Sequence, residues 1–115
     1  MPIATPSALH LADLRGQLGI SRESLARLLD VSAKSIERWE GRGTLPVGLA
    51  LRQRLAQLHE VAALAQAVFE ADGARAFVRT PLPALAGRTP LQAIAAGEGE
   101  RVLAVLATFY EGAAV

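Results

Sequence analysis

The feature that most constrains the fold is a series of apolar residues at alternating spacings of four and three. The series consists of Leu51, Leu55, Leu58, Ala62, Ala65 and Phe69. This spacing places all six side chains on one face of an α-helix and does not fit the two-residue period of a strand. It predicts one long helix from Val47 to about Ala71, with a second apolar stripe at Val61, Leu64 and Val68. A second copy of the helix or the chain's own core can cover this seam.

The composition agrees with an all-α fold. Hydrophobic residues make up 51% of the 115 residues, mostly Ala, Leu and Val, whereas aromatic residues make up only 4%. Small apolar side chains favour close helix packing over a β-sandwich. The length suits one compact domain, or two small units that share a core, and leaves little room for a large catalytic cleft.

Several classes of function are poorly supported. The chain has no cysteine, which excludes disulfides and thiolate metal sites, and its two histidines, His10 and His59, do not have ligand spacing. No run of about 18 uncharged apolar residues occurs, and the beginning, MPIATPSAL, does not resemble a signal peptide. We therefore expect a cytoplasmic protein that is not an enzyme, carries no cofactor or metal and does not contact a membrane.

The charges are distributed unevenly along the chain. Residues 1–58 contain eight Arg or Lys and five Asp or Glu, a net charge of +3, whereas residues 59–115 contain four and six, a net charge of −2. The basic half suits a polyanion and the acidic half suits a protein partner. An imbalance of this size is also common on ordinary solvated surfaces.

Serine and glycine mark the limits of short helices in the first half. Ser7 is expected to cap a helix over Ala8–Leu18, which Gly19 ends, and Ser21 is expected to cap a second helix. The stretch LLDVS is expected to break this helix, and Ser32 is expected to cap a third helix that runs to about Glu40 and is closed by Gly41. Two short helices joined by a tight turn describe a helix-turn-helix.

The third helix has two different faces. Ile36 and Trp39 are three residues apart and indicate a core face, whereas Lys34 and Arg38 are four apart and indicate a cationic outer face. A solvated surface helix has the same pattern. The position of this helix, directly after a tight turn and within the basic half, favours nucleic-acid binding.

The segment ISRESLARLLDVSAKSIERWEGRGTLP, Ile20 to Pro46, is similar to the DNA-binding core of Xre-type helix-turn-helix proteins. The resemblance implies a phosphate contact near the start of the first motif helix and base contacts from the recognition helix. The residues at these positions are Arg22 for the phosphate and Ala33, Lys34 and Arg38 for the bases, and Ser32 and Arg42 complete the set of DNA-binding candidates. Ala33 departs from the family pattern, because a methyl group contacts only a thymine methyl or fills space. The resemblance also places Trp39 against the first helix.

The sequence of the second half predicts several short helices and one turn. A helix is expected over residues 74–79, followed by an extended turn at TPLPALAG and by a helix with Thr89 as cap and Pro90 at its first position. A final helix is expected from about Glu98 to Glu111. Its apolar face consists of Val102, Val105, Leu106 and Phe109. Phe109 is expected in the core and Tyr110 on the surface, where it is able to anchor an interface.

This half is similar to the toxin-binding domain of Xre/MbcA/ParS-type antitoxins, through the pattern F.RTP.P.L.G.TP and the closing pattern G..ERV...L....EG. The resemblance implies an antitoxin that neutralises a RES-domain, NAD-degrading toxin by placing its C-terminal end at the toxin's active-site cleft. The candidate toxin-binding residues are Arg79, Arg88, Tyr110, Glu111, Gly112, Ala113, Ala114 and Val115. The two arginines suit either carboxylates of a partner or the carbonyls of their own turn. Gly112 is expected to end the last helix.

The sequence therefore predicts an Xre-like DNA-binding domain over residues 1–46 and a helical toxin-binding and oligomerisation domain over residues 47–115. The expected partners are a RES-domain toxin, operator DNA and a second copy of the chain within a larger toxin-antitoxin complex. The alternative is a free-standing Xre-like repressor whose second half only dimerises or senses a ligand.

Overall fold

The structure, a computed structural model, describes residues 8–42 and 48–113. Within these ranges it has seven α-helices and no strand. The helices are α1 (Ala8–Leu18), α2 (Arg22–Leu29), α3 (Ala33–Arg42), α4 (Leu49–Val68), α5 (Ala71–Phe77), α6 (Pro90–Ala95) and α7 (Gly99–Ala113). The prediction of an all-α fold is confirmed.

The helix-turn-helix forms as the serine positions indicated. The Ser21 hydroxyl oxygen accepts a hydrogen bond from the Ser24 amide at 3.1 Å, and the Ser32 hydroxyl oxygen accepts one from the Ser35 amide at the same distance. Each bond satisfies an amide that has no partner within its own helix. Asp30 ends α2 in the left-handed conformation, with φ of 58°. The predicted cap of α1, Ser7, lies outside the described residues.

The predicted end of α3 is wrong. The helix continues through Gly41 to Arg42. A glycine ends a helix when it adopts the left-handed conformation, and Gly41 does not have a positive φ. It therefore only weakens the last turn, as a glycine inside a helix does.

The boundary between α4 and α5 differs from the prediction by three residues. We expected α4 to reach about Ala71 and the next helix to span residues 74–79, but α4 ends at Val68 and α5 begins at Ala71. Phe69 and Glu70 are extended, with ψ values of 158° and 167°. Leaving the helix at this point brings the Phe69 ring within 5.2 Å of the Phe77 ring, measured between centroids. The predicted start of α4, residue 47, lies outside the described residues.

The seam of α4 packs inside the chain's own core. Leu55, Leu58, Ala62 and Ala65 are buried, and Leu51 and Phe69 are half-buried against the same core. The core of the single chain, rather than a second copy, therefore covers this seam. Its main neighbour is α7, and α1 and α5 also contact α4.

Both halves of the chain contribute to one hydrophobic core. Buried side chains of α1, α2 and α3 belong to the same cluster as those of α4 to α7. Two arginines also connect the halves by donating to backbone carbonyls, Arg54 to Leu28 at 3.3 Å and Arg75 to Gly16 at 2.9 Å. The predicted boundary between residues 46 and 47 lies outside the described residues.

The segment between α5 and α6 is more compact than the extended turn that we predicted. Its centre is a single 3₁₀ turn, Pro83–Leu85, with Leu85 fully buried. An antiparallel bridge between Leu82 and Arg88 closes the segment into a loop. The predicted cap at Thr89 is confirmed. Its hydroxyl oxygen accepts a hydrogen bond from the Gln92 amide at 3.1 Å, and the Gln92 side chain accepts one from the Thr89 amide.

Two expectations for α7 are wrong. Val102 and Leu106 are fully buried as predicted, but Phe109 is 44% exposed rather than in the core. Its ring lies at the edge of the core, 5.8 Å from the Phe69 ring and 6.0 Å from the Phe77 ring. The helix also continues past Gly112 to Ala113, because Gly112 does not adopt the left-handed conformation that ends a helix.

Candidate functional surfaces

The outer face of α3 carries three exposed cations. Lys34, Arg38 and Arg42 are exposed, while Ile36 on the opposite face is fully buried. Trp39 is half-buried and packs against the core, as the predicted core face requires. The amphipathic character of α3 therefore leaves its basic side chains free to meet an anionic partner.

Two of the predicted DNA-binding residues, Ser32 and Ala33, have roles in the fold itself. The Ser32 hydroxyl accepts the hydrogen bond from the Ser35 amide and lies 3.0 Å from the Ser35 hydroxyl. Ala33 is half-buried and packs against the core. Among the six candidates, the exposed cations are therefore better placed than these two to contact a ligand.

The remaining DNA-binding candidate, Arg22, belongs to an ion-pair cluster. Its Nε donates to Oε1 of Glu40 at 2.9 Å. Arg15 of α1 donates to the same carboxylate, from Nε to Oε2 at 2.7 Å and from Nη2 to Oε1 at 3.2 Å. Burial raises the pKa of the Glu40 carboxyl, but the hydrogen bonds from Arg15 and Arg22 together with the attraction of their charges outweigh this effect, so the pKa lies below its ordinary value. Glu40 is thus a carboxylate that joins the first three helices.

The two arginines beside the proline-rich turn differ in their contacts. The Arg88 guanidinium donates to the Leu85 carbonyl at 3.0 Å and to the Glu98 carboxylate at 2.6 Å. This hydrogen bond from Arg88 lowers the pKa of Glu98 and outweighs the opposing effect of burial. Arg88 therefore connects the loop to the start of α7. Arg79 is exposed, and its guanidinium lies close to Gly19.

The C-terminal end of α7 is exposed as far as the structure describes its side chains. Tyr110 is 51% exposed, and Glu111 and Gly112 are also exposed. Tyr110 borders a shallow groove between α4 and α7. The groove is lined by Glu60, Ala63, Leu64, Ala67, Leu103 and Tyr110. Ala113 is the last residue of α7, and Ala114 and Val115 lie outside the described residues.

Sequence reasoning missed two features of these surfaces. It assigned no role to Glu40, whose partner Arg15 is 25 residues away. It also missed the cluster of Phe69, Phe77 and Phe109, which brings three helix ends together. The only signal for the first feature is the glutamate in the motif RWE.G, and pairing over this distance follows from the tertiary fold.

Metal binding and membrane spanning find no support in the part of the chain that the structure describes. It contains no group of three or more His, Asp or Glu side chains close enough to hold a metal ion. None of its helices combines the length and the apolar character needed to cross a bilayer.

The family follows from comparison with known proteins. The family model described as the antitoxin Xre/MbcA/ParS C-terminal toxin-binding domain matches residues 64–112. The mycobacterial cidal antitoxin MbcA of Mycobacterium tuberculosis H37Rv is 32% identical over 96 residues, which cover 84% of each chain, and MbcA of Mycobacterium bovis gives the same values. The chain belongs to the Xre/MbcA/ParS antitoxin family. Membership of this family supports an antitoxin role.

A solved structure extends the likeness to the whole fold. A chain in the crystal structure of the M. tuberculosis MbcT-MbcA toxin-antitoxin complex superposes with a TM-score of 0.75 and 30% sequence identity. The match covers 91% of this chain and 94% of that chain. The likeness in fold therefore extends beyond residues 64–112 and includes the first half of this Xre/MbcA/ParS antitoxin.

Proposed function

We propose that this chain is the antitoxin of a type II toxin-antitoxin system, which neutralises a RES-domain, NAD-degrading toxin through its second half. The observation that carries the proposal is the match of residues 64–112 to a toxin-binding domain. Five of the eight candidate toxin-binding residues lie within this range. The relative MbcA is an antitoxin that has been crystallised with its toxin MbcT, which supports a toxin as the partner of this chain too.

The end of α7 suits insertion into a cleft. Beyond the fully buried Leu106, residues 108–112 are exposed. Glu111 supplies negative charge at this end of the helix, and Gly112 beside it has no side chain that would widen the helix. A site that admits a dinucleotide needs cations and hydrogen-bond donors for the pyrophosphate, so an anionic end competes for the same groups. Phe109 and Tyr110 offer aromatic surface to the rim of the toxin.

Truncation of the tail tests this role. The deletion of residues 112–115 starts at the exposed Gly112, beyond the buried Leu106, so the melting temperature should stay within about 2 °C of that of the full chain. The measurement is NAD consumption by the toxin encoded next to this chain's gene, titrated with full-length and truncated protein. Inhibition should weaken at least tenfold. Glu111→Ala should weaken it too, whereas the control Glu100→Ala, at the other end of α7, should not. Superimposable curves would rule out the tail as the inhibitory segment.

We further propose that the helix-turn-helix binds the operator of the same operon as part of a homodimer. The exposed cations of α3 support DNA binding, and two-fold symmetry suits a palindromic site. The double variant Lys34→Ala, Arg38→Ala should abolish the gel shift of a duplex from the promoter region and leave the helical spectrum unchanged. A control with the same loss of charge, Arg52→Ala with Arg101→Ala, should still bind. Equal loss in both would mean that net charge, not the α3 face, drives binding.

The alternative function, a free-standing repressor, differs in one observable. A repressor without a toxin would bind the promoter duplex but would not co-purify with the product of the adjacent gene. An antitoxin should form a complex with that product that survives size-exclusion chromatography.

A further inference from the structure

Glu40 is held rigidly where α1, α2 and α3 meet. Arg15 contacts it with two nitrogens, and only 7% of the Glu40 side chain is exposed. A carboxylate fixed in this way on one side provides a stationary acceptor for a second cation. That cation is Arg22, which is the first residue of α2.

The geometry of the second contact leaves most of the Arg22 guanidinium available. Only Nε binds Glu40, at 2.9 Å, and 44% of the side chain is exposed. The two terminal nitrogens make no hydrogen bond within the described residues. These nitrogens form the pair of donors that matches two oxygens of a phosphate.

We infer that Glu40 is a positioning residue for DNA, which fixes Nε of Arg22 so that the terminal nitrogens face a backbone phosphate. The inference rests on the proposed DNA-binding function. A long side chain that is already ordered loses less conformational entropy when it binds. Arg15, Arg22 and Glu40 together carry a net charge of +1, and the exposed carboxylates of Glu23 and Glu37 also act on Arg22. The attraction for a phosphate therefore comes from direct contact with the Arg22 guanidinium and not from the net charge around it.

The competing explanation is that Glu40 occupies Arg22 and keeps it from DNA. A competitor would take the two terminal nitrogens, which are the donors that a phosphate needs. Glu40 instead takes Nε, and its two-point contact is with Arg15. The two explanations predict opposite effects of Glu40→Gln on the affinity for DNA. Removing a competitor, or a negative charge near DNA, tightens binding, whereas removing a positioning group weakens it.

A double-mutant cycle tests the inference. The probe is a duplex from the promoter region upstream of this chain's own gene, titrated with the full chain at several salt concentrations. Circular dichroism confirms that each variant is folded at the assay temperature. Glu40→Gln should weaken binding about two- to tenfold, as expected for ordering one long side chain. In the background of Arg22→Met, the same change should alter affinity less than twofold, because Glu40 then has no guanidinium to position.

Two further readouts separate positioning from support of the fold. Arg22→Met should make the log-log salt slope less steep by about 0.9, which corresponds to one phosphate contact. Arg22→Lys leaves the pair of Arg15 and Glu40 intact, so it also serves if Glu40→Gln fails to fold. The Arg22→Lys variant should bind DNA more weakly than the wild-type chain, because one ammonium cannot bind Glu40 and also present a fork to the phosphate, but more tightly than Arg22→Met, because it keeps the positive charge.

The outcomes that overturn the inference are distinct. Equal weakening by Glu40→Gln in both backgrounds would mean that Glu40 only supports the fold, and tighter binding would mean that it competes with DNA. Wild-type affinity in Arg22→Lys would also overturn it. Failure of the wild-type chain to bind the duplex at all would overturn the proposed DNA-binding function itself.

Discussion

The shared core predicts that damage in the second half unfolds the first half as well. Leu106 of α7 is fully buried, and α7 packs mainly against α4. Leu106→Ala should lower the free energy of unfolding by about 3 kcal/mol, as for other fully buried leucines. Unfolding entropy is about 2.1 cal/mol/K per residue, or about 0.24 kcal/mol/K for 115 residues, so the melting temperature should fall by about 12 °C.

Two spectroscopic probes measure this effect in different parts of the chain. Circular dichroism reports all helices, whereas fluorescence reports Trp39 in α3, the only tryptophan. Both midpoints should fall together in Leu106→Ala, because one cooperative unit gives coincident transitions. Leu103→Ala, a half-buried leucine on the same helix, should cause less than half of the shift. A Trp39 transition that stays at the wild-type temperature would refute the argument and would show two independent domains.

Two other predictions concern local features. Gly19→Ala should destabilise the chain by roughly 1–2 kcal/mol, because the φ of Gly19 is +66° and the new methyl group would lie 3.0 Å from the Arg75 side chain. Gly16→Ala, in open space within α1, should instead stabilise the chain by about 0.5–1 kcal/mol. Urea denaturation measures both changes in the free energy of unfolding. The hydrogen bond from Arg88 lowers the pKa of Glu98 in the folded state. The pair therefore stabilises the fold fully above the unfolded-state pKa of about 4.3, and this stabilisation is lost as the pH falls through the lower folded-state pKa. Glu98→Gln should therefore lose less stability in acid than the wild-type chain, and identical acid profiles would contradict this.

Local signals in the sequence predicted most of the helices. The caps at Ser21, Ser32 and Thr89 formed as expected, because a capping bond joins residues only three positions apart. The apolar spacing of α4 likewise described its buried face. Glycine was a less reliable signal. Gly41 and Gly112 lie inside helices, since glycine permits the left-handed conformation but does not impose it.

Features that depend on tertiary contacts could not be predicted in the same way. The helix break at Phe69 coincides with ring contacts to Phe77 in the next helix and to Phe109, which is distant in sequence. The contact of Glu40 with Arg15 and Arg22 likewise joins three helices. The sequence predicted Arg22 as a phosphate contact from family resemblance, but it did not predict the carboxylate that holds it.

The measurement that tests the central claim most directly is growth of cells that express the toxin encoded beside this chain's gene, with and without this chain. The full-length chain should restore growth. The double variant Lys34→Ala, Arg38→Ala, expressed from an independent promoter, should restore it equally, because neutralisation is assigned to the second half. The chain without residues 112–115 should fail to restore growth at the same protein level. Persistent growth arrest with abundant, folded full-length chain would contradict the assignment of this protein as the antitoxin of that toxin.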